Sequence, residues 1–385
     1  MIRTANRLSD MQQSAIRTMT QRCEAVDGIN LGQGLCRTPP PQSLMKHAAQ
    51  QVVAVDHSYS PAQGDRGFRV ALADKLTRYN GLLVDPDTDV VATIGASGAY
   101  NAALLAFLDP GDGVVLLEPH YGYHLAALRL YGLQPQPVQL TAPDFQIDWA
   151  ALEEAITQRT RAIVVCTPAN PSGRRFGRAE LEIVAALAEE HDLLVITDEI
   201  YEHIYYTGTP HLSPATVGDL WDRTITISGL SKTYSIPGWR LGYAVGPAEL
   251  ISKVRVVADT LVVCAPTPLQ QLATHALALP DSYYRELRAL YEDKKKRLTA
   301  AFEATGLTMS SPEGAYYLLV DCSALAVDSG WAAAELILER TRVATVPGEA
   351  FYLASPRYPI VRVCLSVADN AIDLAAERLE RLRYM

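Results

Sequence analysis

Residues 90–119, VVATIGASGAYNAALLAFLDPGDGVVLLEP, decide the fold. The stretch begins with a continuous apolar run, passes through a Gly/Ser turn into a helical pattern, and ends in a second continuous apolar run. Apolar runs without alternation are typical of strands buried on both faces, and a helix between two such strands indicates a crossover connection. The stretch therefore predicts a strand–helix–strand unit of an α/β protein.

The same alternation continues to about residue 246. Further strands are predicted at AIVVCTP and LLVITDE, and further helices at YHLAALRLYG and RAELEIVAALAEEH. We therefore predict a mainly parallel sheet between helical layers, in a large domain of residues 45–280. A long charged helix at residues 281–305, followed by strands at AYYLLVD and IVRVCLSV, predicts a smaller α+β domain formed by residues 1–44 and 281–385. The basic residues 294–297 are interpreted as a solvated face of that helix.

Composition and charge limit the function. The chain has 385 residues, 49% of them hydrophobic, and a formal net charge of -9, which argues against a broad basic surface for nucleic acid or anionic lipid. The apolar runs are far shorter than the roughly 18 residues that span a bilayer, and the N-terminus has no signal-peptide core, so we expect a cytoplasmic protein. The six cysteines lack zinc-site spacing and are expected to be reduced, mostly buried thiols, with no metal site.

Two partial nucleotide-binding motifs are excluded. The segment LSKT lacks both P-loop glycines, because Ser231 precedes the lysine and Thr226 stands at the earlier glycine position. The segment GQGLCR has Arg37 at the third glycine position of a dinucleotide fingerprint.

Polar residues follow several predicted strands. Gly95 to Gly98 lead a strand into a helix, and free N–H groups at such a helix start favour an anion. Asn170 follows AIVVCTP, and Asp198 and Tyr201 follow LLVIT. Each feature alone is also typical of an ordinary turn or helix cap. Because ligands of parallel sheets bind at the carboxyl ends of the strands, we expect these residues to share one site.

Residues 228–243, SGLSKTYSIPGWRLGY, add a lysine among small residues and an arginine eight positions later. One cofactor accounts for all of these residues, namely pyridoxal 5'-phosphate (PLP). PLP needs a lysine, an acid at its ring nitrogen, donors to its phenolate oxygen, an aromatic ring and an anion site.

The motifs in this order and spacing resemble the class I/II aminotransferases of PLP fold type I over essentially the whole chain. The resemblance is carried by YSPAQGDRGFRVALA, TIGASGAYNAALLAFLDPGD, EPHYGYH, TPANPSG, TDEIYEHI, SGLSKTYSIPGWRLGY and VRVCLS. It implies a large PLP-binding domain and a smaller α+β domain.

The resemblance also implies roles for individual residues. It implies that Lys232 is the Schiff-base lysine, that Tyr121 stacks on the cofactor and that Asp198 pairs with its ring nitrogen. Asn170 and Tyr201 are implied as donors to the phenolate oxygen. The residues implied for the phosphate are Ala96, Ser97, Gly98 and Arg240.

Further implied contacts involve substrate and a second subunit. Arg362 and the backbone of Gly34 are implied to bind the substrate α-carboxylate, together with Asn170. Tyr59 is implied to reach the phosphate of the neighbouring subunit, which makes a homodimer the expected assembly.

The chain departs from the family at one position. Many members have a serine three residues before the lysine, where this chain has Gly229. Either Ser228 or Ser231 could reach the phosphate instead, and we favour Ser231. Arg37 is left open as a contact to a distal substrate group or an exposed residue.

Two histidines flank the stacking position of Tyr121. We interpret His120 and His124 as residues of the pocket wall or of the surface, rather than as acid-base groups.

We therefore predict an aminotransferase that moves an amino group from an L-amino acid to a 2-oxo acid by a ping-pong mechanism, with Lys232, Asp198 and Tyr201 as catalytic residues. A carbon–sulfur β-lyase on the same fold and a non-catalytic ligand sensor are the alternatives. The N-terminal segment is too short for the DNA-binding module that a sensor requires. The run INLGQGLCRTPPP resembles the kynurenine, glutamine and aromatic branch, with aspartate-type enzymes as the alternative. The donor, acceptor and pathway stay open.

Overall fold

The computed structural model describes residues 2–8, 13–206 and 208–384. The predicted small domain includes residues 1, 9–12 and 385, which lie outside the described residues. The strands are β1 Ile29–Asn30, β2 Val90–Ile94, β3 Gly113–Glu118, β4 Gln134–Gln139, β5 Thr160–Cys166, β6 Leu194–Asp198, β7 Thr224–Gly229, β8 Leu241–Val245, β9 Thr308–Met309, β10 Tyr317–Asp321, β11 Val343–Ala344, β12 Val346–Pro347 and β13 Ile360–Cys364.

The α-helices lie between these strands and at the end of the chain. They are α1 Ala15–Ala25, α2 Gln42–Gln51, α3 Arg66–Lys75, α4 Gly95–Phe107, α5 Gly122–Leu130, α6 Trp149–Ala155, α7 Arg178–Glu190, α8 Ala248–Val262, α9 Thr267–Leu277, α10 Asp281–Glu303, α11 Gly330–Thr341 and α12 Asp369–Leu379. A π-helical turn, Leu76–Asn80, extends α3. The 3-10 turns are Asn6–Leu8, Pro214–Thr216, Leu220–Arg223, Pro237–Trp239, Ser323–Leu325, Gly348–Phe351 and Glu380–Tyr384.

Seven strands form the large sheet, in the order β2-β8-β7-β6-β5-β3-β4. β8 runs antiparallel to both of its neighbours, and the other pairs are parallel. Alternate residues of β3 show why its apolar run is continuous, because Val114 packs on one face and Val115 on the other. Helices α4, α5 and α8 cover the first face, whereas α6 and α7 cover the second. The predicted mainly parallel α/β sheet is confirmed.

β4 was not predicted from the sequence. Its residues, QPQPVQ, include two prolines and are mostly exposed or half-buried. The strand lies at the edge of the sheet, beside β3, and proline is tolerated at edges because one side of an edge strand needs no ladder hydrogen bonds.

A second core lies around a four-stranded antiparallel sheet, β12-β13-β10-β9. Helices α1, α10, α11 and α12 contribute apolar residues to this core. β1 pairs with β11, which attaches the N-terminal segment to this part of the chain. The boundaries at residues 45 and 280 stay a prediction.

The interpretation of residues 294–297 as a solvated face was wrong for Lys294. This side chain is 1% exposed, and its Nζ donates a 2.6 Å hydrogen bond to the Val367 carbonyl and lies 3.6 Å from an Asp369 carboxylate oxygen. A buried ammonium requires such partners. Lys296 does lie on the exposed face of the helix.

All six cysteines are free thiols, and four of them are buried, as expected. Among the described residues, no helix is long and apolar enough to cross a membrane.

Candidate active site

The carboxyl ends of the large sheet open onto a cavity of about 470 Å³. Most of the residues predicted for the site line it, namely Ala96, Ser97, Tyr121, Asn170, Asp198, Tyr201, Ser231, Lys232 and Arg240. They come from the ends of β2, β3, β5, β6 and β7 and from the start of β8. Because β8 is antiparallel, its first residues lie at the same edge as the last residues of the parallel strands.

One end of the cavity is suited to an anion. Gly95, with φ of +66°, turns the chain from β2 into α4, and its N–H donates a 3.0 Å hydrogen bond to the Arg240 carbonyl. The Arg240 guanidinium packs on this turn, because a Cβ at position 95 would lie 2.5 Å from its Nη2. Gly98 lies in the first turn of α4. A guanidinium beside a helix N-terminus favours a phosphate.

β8 approaches the same turn closely. A Cβ at Gly242 would lie 2.2 Å from the carbonyl carbon of Gly95 and 2.4 Å from the backbone nitrogen of Ala96. Only glycine allows this approach, which brings Arg240 to the start of α4.

Lys232 follows β7 and projects into the cavity. Its Nζ lies 3.5 Å from the Gly34 carbonyl and 5.9 Å from the centre of the Tyr316 ring. Burial lowers the pKa of Lys232 below the usual lysine value. The neutral amine, which is the nucleophilic and basic form, is therefore more populated than in an exposed lysine.

Asp198 ends β6, and its carboxylate is held on both oxygens. Oδ2 lies 3.0 Å from Nε2 of His124, and Oδ1 accepts a 3.2 Å hydrogen bond from the Ile200 N–H. The His124 ring is in turn packed against the rings of Tyr100 and Tyr121. Both His120 and His124 are buried, so the surface alternative was wrong, and His124 lines the cavity.

Arg362 lies on β13 next to the cavity. It is 1% exposed, and its Nη1 donates a 2.9 Å hydrogen bond to Asn170 Oδ1 while its Nη2 donates a 2.6 Å bond to the Gly32 carbonyl. The guanidinium stacks on the rings of Tyr317 and Phe351, and its Nε has no hydrogen-bond partner among the described residues. A buried guanidinium with unused N–H groups is suited to a carboxylate.

Comparison with known proteins identifies the family. Residues 26–379 match the model of aminotransferase class I and II. The chain is 32% identical to a probable N-succinyldiaminopimelate aminotransferase of Mycobacterium tuberculosis, over 98% of both chains. It is 29% identical to kynurenine–oxoglutarate transaminase 3 of Rattus norvegicus, over 97% of this chain and 89% of that protein.

A solved structure from Escherichia coli, whose protein was identified as having a methionine aminotransferase function, superposes with a TM-score of 0.94 at 29% identity. That match covers 98% of this chain and 99% of the other. The chain is a class I and II aminotransferase. Its fold is that of PLP fold type I, and the enzyme transfers amino groups between amino acids and 2-oxo acids with PLP as cofactor. The related proteins are named as aminotransferases, and neither the lyase nor the sensor alternative has support.

The cavity of this aminotransferase fits PLP. It combines an anion-binding site at the start of α4, the Tyr121 ring, the Asp198 carboxylate and the Lys232 amine. Tyr201 adds a hydroxyl that lies 3.2 Å from the Tyr317 hydroxyl, and burial raises the pKa of Tyr201 so that it stays protonated and can donate.

The two serines of the aminotransferase differ in position. Ser231 lines the cavity, whereas the Ser228 hydroxyl lies 3.2 Å from the Glu199 carbonyl and 3.1 Å from the Glu202 carboxylate, within hydrogen-bonding distance of both. This arrangement favours Ser231 over Ser228 as a phosphate ligand.

Tyr59 and Arg37 lie outside the described lining of the cavity. The Tyr59 side chain is 79% exposed, and Arg37 is exposed with its backbone N–H donating to the Ser366 carbonyl. Gly34 contacts the site through the carbonyl that faces Lys232.

Proposed function

We propose that Lys232, Asp198 and Tyr201 are the catalytic residues of this aminotransferase and that Arg362 holds the α-carboxylate of the substrate. The observation that carries the proposal is the convergence of a half-buried lysine, a buried carboxylate and the Asn170–Arg362 pair on one cavity edge. Each group has a partner or a pKa that suits its role.

When bound, PLP withdraws the electron pair that remains at the substrate Cα after a proton has left. The residues proposed to hold PLP are Arg240 and the start of α4 at the phosphate, Asp198 at the ring nitrogen, and Asn170 and Tyr201 at the phenolate oxygen. Tyr121 and Ser231 line the same cavity and complete the proposed set.

Lys232 is proposed to move the proton. Because burial lowers its pKa, Nζ is neutral for a larger fraction of the time than an exposed lysine and accepts a proton from Cα. Arg362 fixes the carboxylate with two parallel hydrogen bonds and so determines which bond of Cα faces Lys232. Asp198, held by His124, supplies the negative charge that a protonated ring nitrogen requires.

We propose an amino donor whose side chain carries no charge. Lys232 and Arg240, the lysine and arginine in the described lining of the cavity, are assigned to the cofactor, and Arg362 is assigned to the α-carboxylate. Arg37 is exposed and outside the lining. Two of the similar proteins are named for methionine and kynurenine, which also have uncharged side chains.

A donor panel tests this proposal. Methionine, phenylalanine, kynurenine, aspartate and glutamate are each assayed with 2-oxoglutarate and with pyruvate, while 2-oxo acid and ammonia are measured. We expect one equivalent of 2-oxo acid per amino group transferred, no ammonia, and higher kcat/KM for the uncharged donors. Preference for aspartate or glutamate contradicts the donor assignment alone, whereas ammonia in place of amino transfer contradicts the reaction.

We propose a homodimer with shared sites. Exposed apolar side chains lie in the loop between α2 and α3, including Val53 and Tyr59, and on α8, including Val256 and Leu261. The loop is attached to α9, since the Ser60 N–H donates a 2.8 Å hydrogen bond to the Thr267 hydroxyl. Such a patch is typical of a protein interface.

Mixed dimers test the sharing of sites. Dimers of Tyr59→Phe and Lys232→Ala chains should regain one native site if Tyr59 acts on the partner subunit, whereas each homodimer should stay impaired. No recovery in confirmed mixed dimers contradicts the shared site.

The cytoplasm is the proposed location, supported by the six free thiols, because disulfides are typical of oxidising compartments.

A further inference from the structure

A second cavity, of about 380 Å³, lies away from the active site. Its walls come from the π-helical turn after α3, the segment after Tyr201, the end of α9 and the first turns of α10. These elements belong to both packed cores, since α3 and α9 contribute to the core around β2 and β8 while α10 contributes to the core of the small sheet.

Three arginines of this cavity make it positive. Arg78, Arg285 and Arg288 line it and form no ion pair within the described part of the chain, whereas Asp281 is the opposing carboxylate. Lys75 also lines it, but its Nζ is neutralised by Glu202 at 2.5 Å. The positive excess stands out in a chain whose formal net charge is -9.

His203 forms an aromatic wall of the cavity. Its ring stacks between the rings of Tyr79 and Tyr284, with centroid distances of 3.9 and 4.4 Å. The side chain is 3% exposed, yet neither ring nitrogen has a hydrogen-bond partner among the described residues. Buried polar atoms are rarely left without partners, so these nitrogens point to a missing ligand.

Tyr205 adds a second feature that is suited to anions. The guanidinium groups of Arg175 and Arg288 lie over its ring, at 5.0 and 4.6 Å from the centroid. Of these two arginines, Arg288 lines the cavity, and a planar guanidinium held in place in this way loses little freedom when it binds an oxyanion.

We propose that this cavity binds a small anion carrying at least two negative charges, either a phosphate compound or a polycarboxylate. Arg78 holds the anion from the side of α3, and Arg285 and Arg288 hold it from α10. One His203 ring nitrogen donates a hydrogen bond to it, since burial lowers the pKa of His203 to about 3 and keeps the ring neutral, with one N–H donor. The site is separate from the active-site cavity, although Tyr201 and His203 are only two positions apart.

Calorimetric titration of the holoenzyme tests the proposal with two probes, pyrophosphate and tricarballylate. In the holoenzyme the cofactor phosphate fills the anion-binding site at the start of α4, so that site does not bind the probes. We expect at least one probe to bind with a Kd of about 1 mM or tighter, and the probe that binds identifies the phosphate or carboxylate class.

Variants locate the binding. Arg285→Ala/Arg288→Ala and, separately, Arg78→Ala should weaken binding of the probe at least tenfold. In the native enzyme, titration with the probe should shift the NMR signals of the His203 ring nitrogens. His203→Phe, which keeps the ring stack, should weaken binding and lack this shift. The matched control Arg159→Ala/Arg161→Ala removes two exposed arginines near the start of β5 and should bind normally.

Arg362→Lys separates this cavity from the active site. Its affinity for the probe should equal that of the native enzyme. Absence of binding by both probes, equal affinity in all cavity variants, or loss of binding in Arg362→Lys overturns the proposal.

Discussion

The imidazole Nε2 of His124 lies 3.0 Å from Oδ2 of Asp198, and this contact joins α5 to the end of β6 in the wall of the cavity. His124→Phe keeps a ring against Tyr100 and Tyr121 but removes the side-chain partner of a buried carboxylate. Because a hydrogen bond to a charged group contributes about 1.5 to 3 kcal/mol, we expect PLP affinity to fall by about tenfold to 150-fold. Absorbance titration of the apoenzyme measures this. His191→Phe, at an exposed histidine, is the control, and native affinity in His124→Phe contradicts the role.

Arg362 provides the second prediction. Arg362→Lys keeps the charge but loses the planar pair of donors, so KM for every amino donor should rise by about tenfold or more. Steady-state kinetics over the donor panel measures the change. Arg37→Lys is the matched control, because Arg37 is exposed, and its kinetics should be native. Unchanged KM in Arg362→Lys would show that another group binds the carboxylate.

Gly242 provides a test of the anion-binding site at the start of α4. Gly242→Ala places a Cβ 2.2 Å from the backbone of Gly95, so the turn must shift, and we expect about 1 to 3 kcal/mol of lost stability together with weaker PLP binding. Gly238→Ala, in the 3-10 turn just before β8, is the control, because a Cβ there has no atom within 4 Å. Urea unfolding of both apoenzymes compares them. Equal losses in the two variants contradict the close approach.

Glu118 predicts a pH dependence of stability. Burial raises its pKa from 4.5 to about 7. Between these values the folded state binds more protons than the unfolded state, so this residue makes the free energy of unfolding fall as the pH rises from about 4.5 to about 7. Glu118→Gln keeps an oxygen to accept the Leu353 N–H but cannot titrate, and should flatten this slope.

Urea unfolding at several pH values across that range measures the effect. The control is Glu190→Gln, whose side chain is exposed and whose slope should match the native protein. An unchanged slope in Glu118→Gln shows that other groups cause the dependence.

The sequence predicted the buried strands of the large sheet because their apolar runs are continuous. It did not predict β4, whose Gln and Pro residues have no strand pattern and pair only because β3 offers an open edge. The sequence did contain a pattern that indicates the burial of Lys294. It lies at helical spacing on the buried stripe of α10, which consists of Leu287, Tyr291, Lys294, Leu298 and Phe302.

The site was predicted through residues at strand ends, and the cavity gathers most of them. The side-chain partner of Asp198 was not predictable, because His124 lies 74 positions away on another element and no spacing links the two. Tyr59 could not be assigned within one chain, since its implied contact needs a second subunit.

The most direct test of the central claim is the identity of the lysine that binds PLP. Borohydride reduction of the holoenzyme followed by peptide mapping should place the cofactor on Lys232 alone, and Lys232→Ala should give no labelled peptide while still folding and binding PLP reversibly. The claim rests on the lowered pKa and the cavity position of Lys232. Label on any other lysine of the native protein, or none at all, contradicts the account.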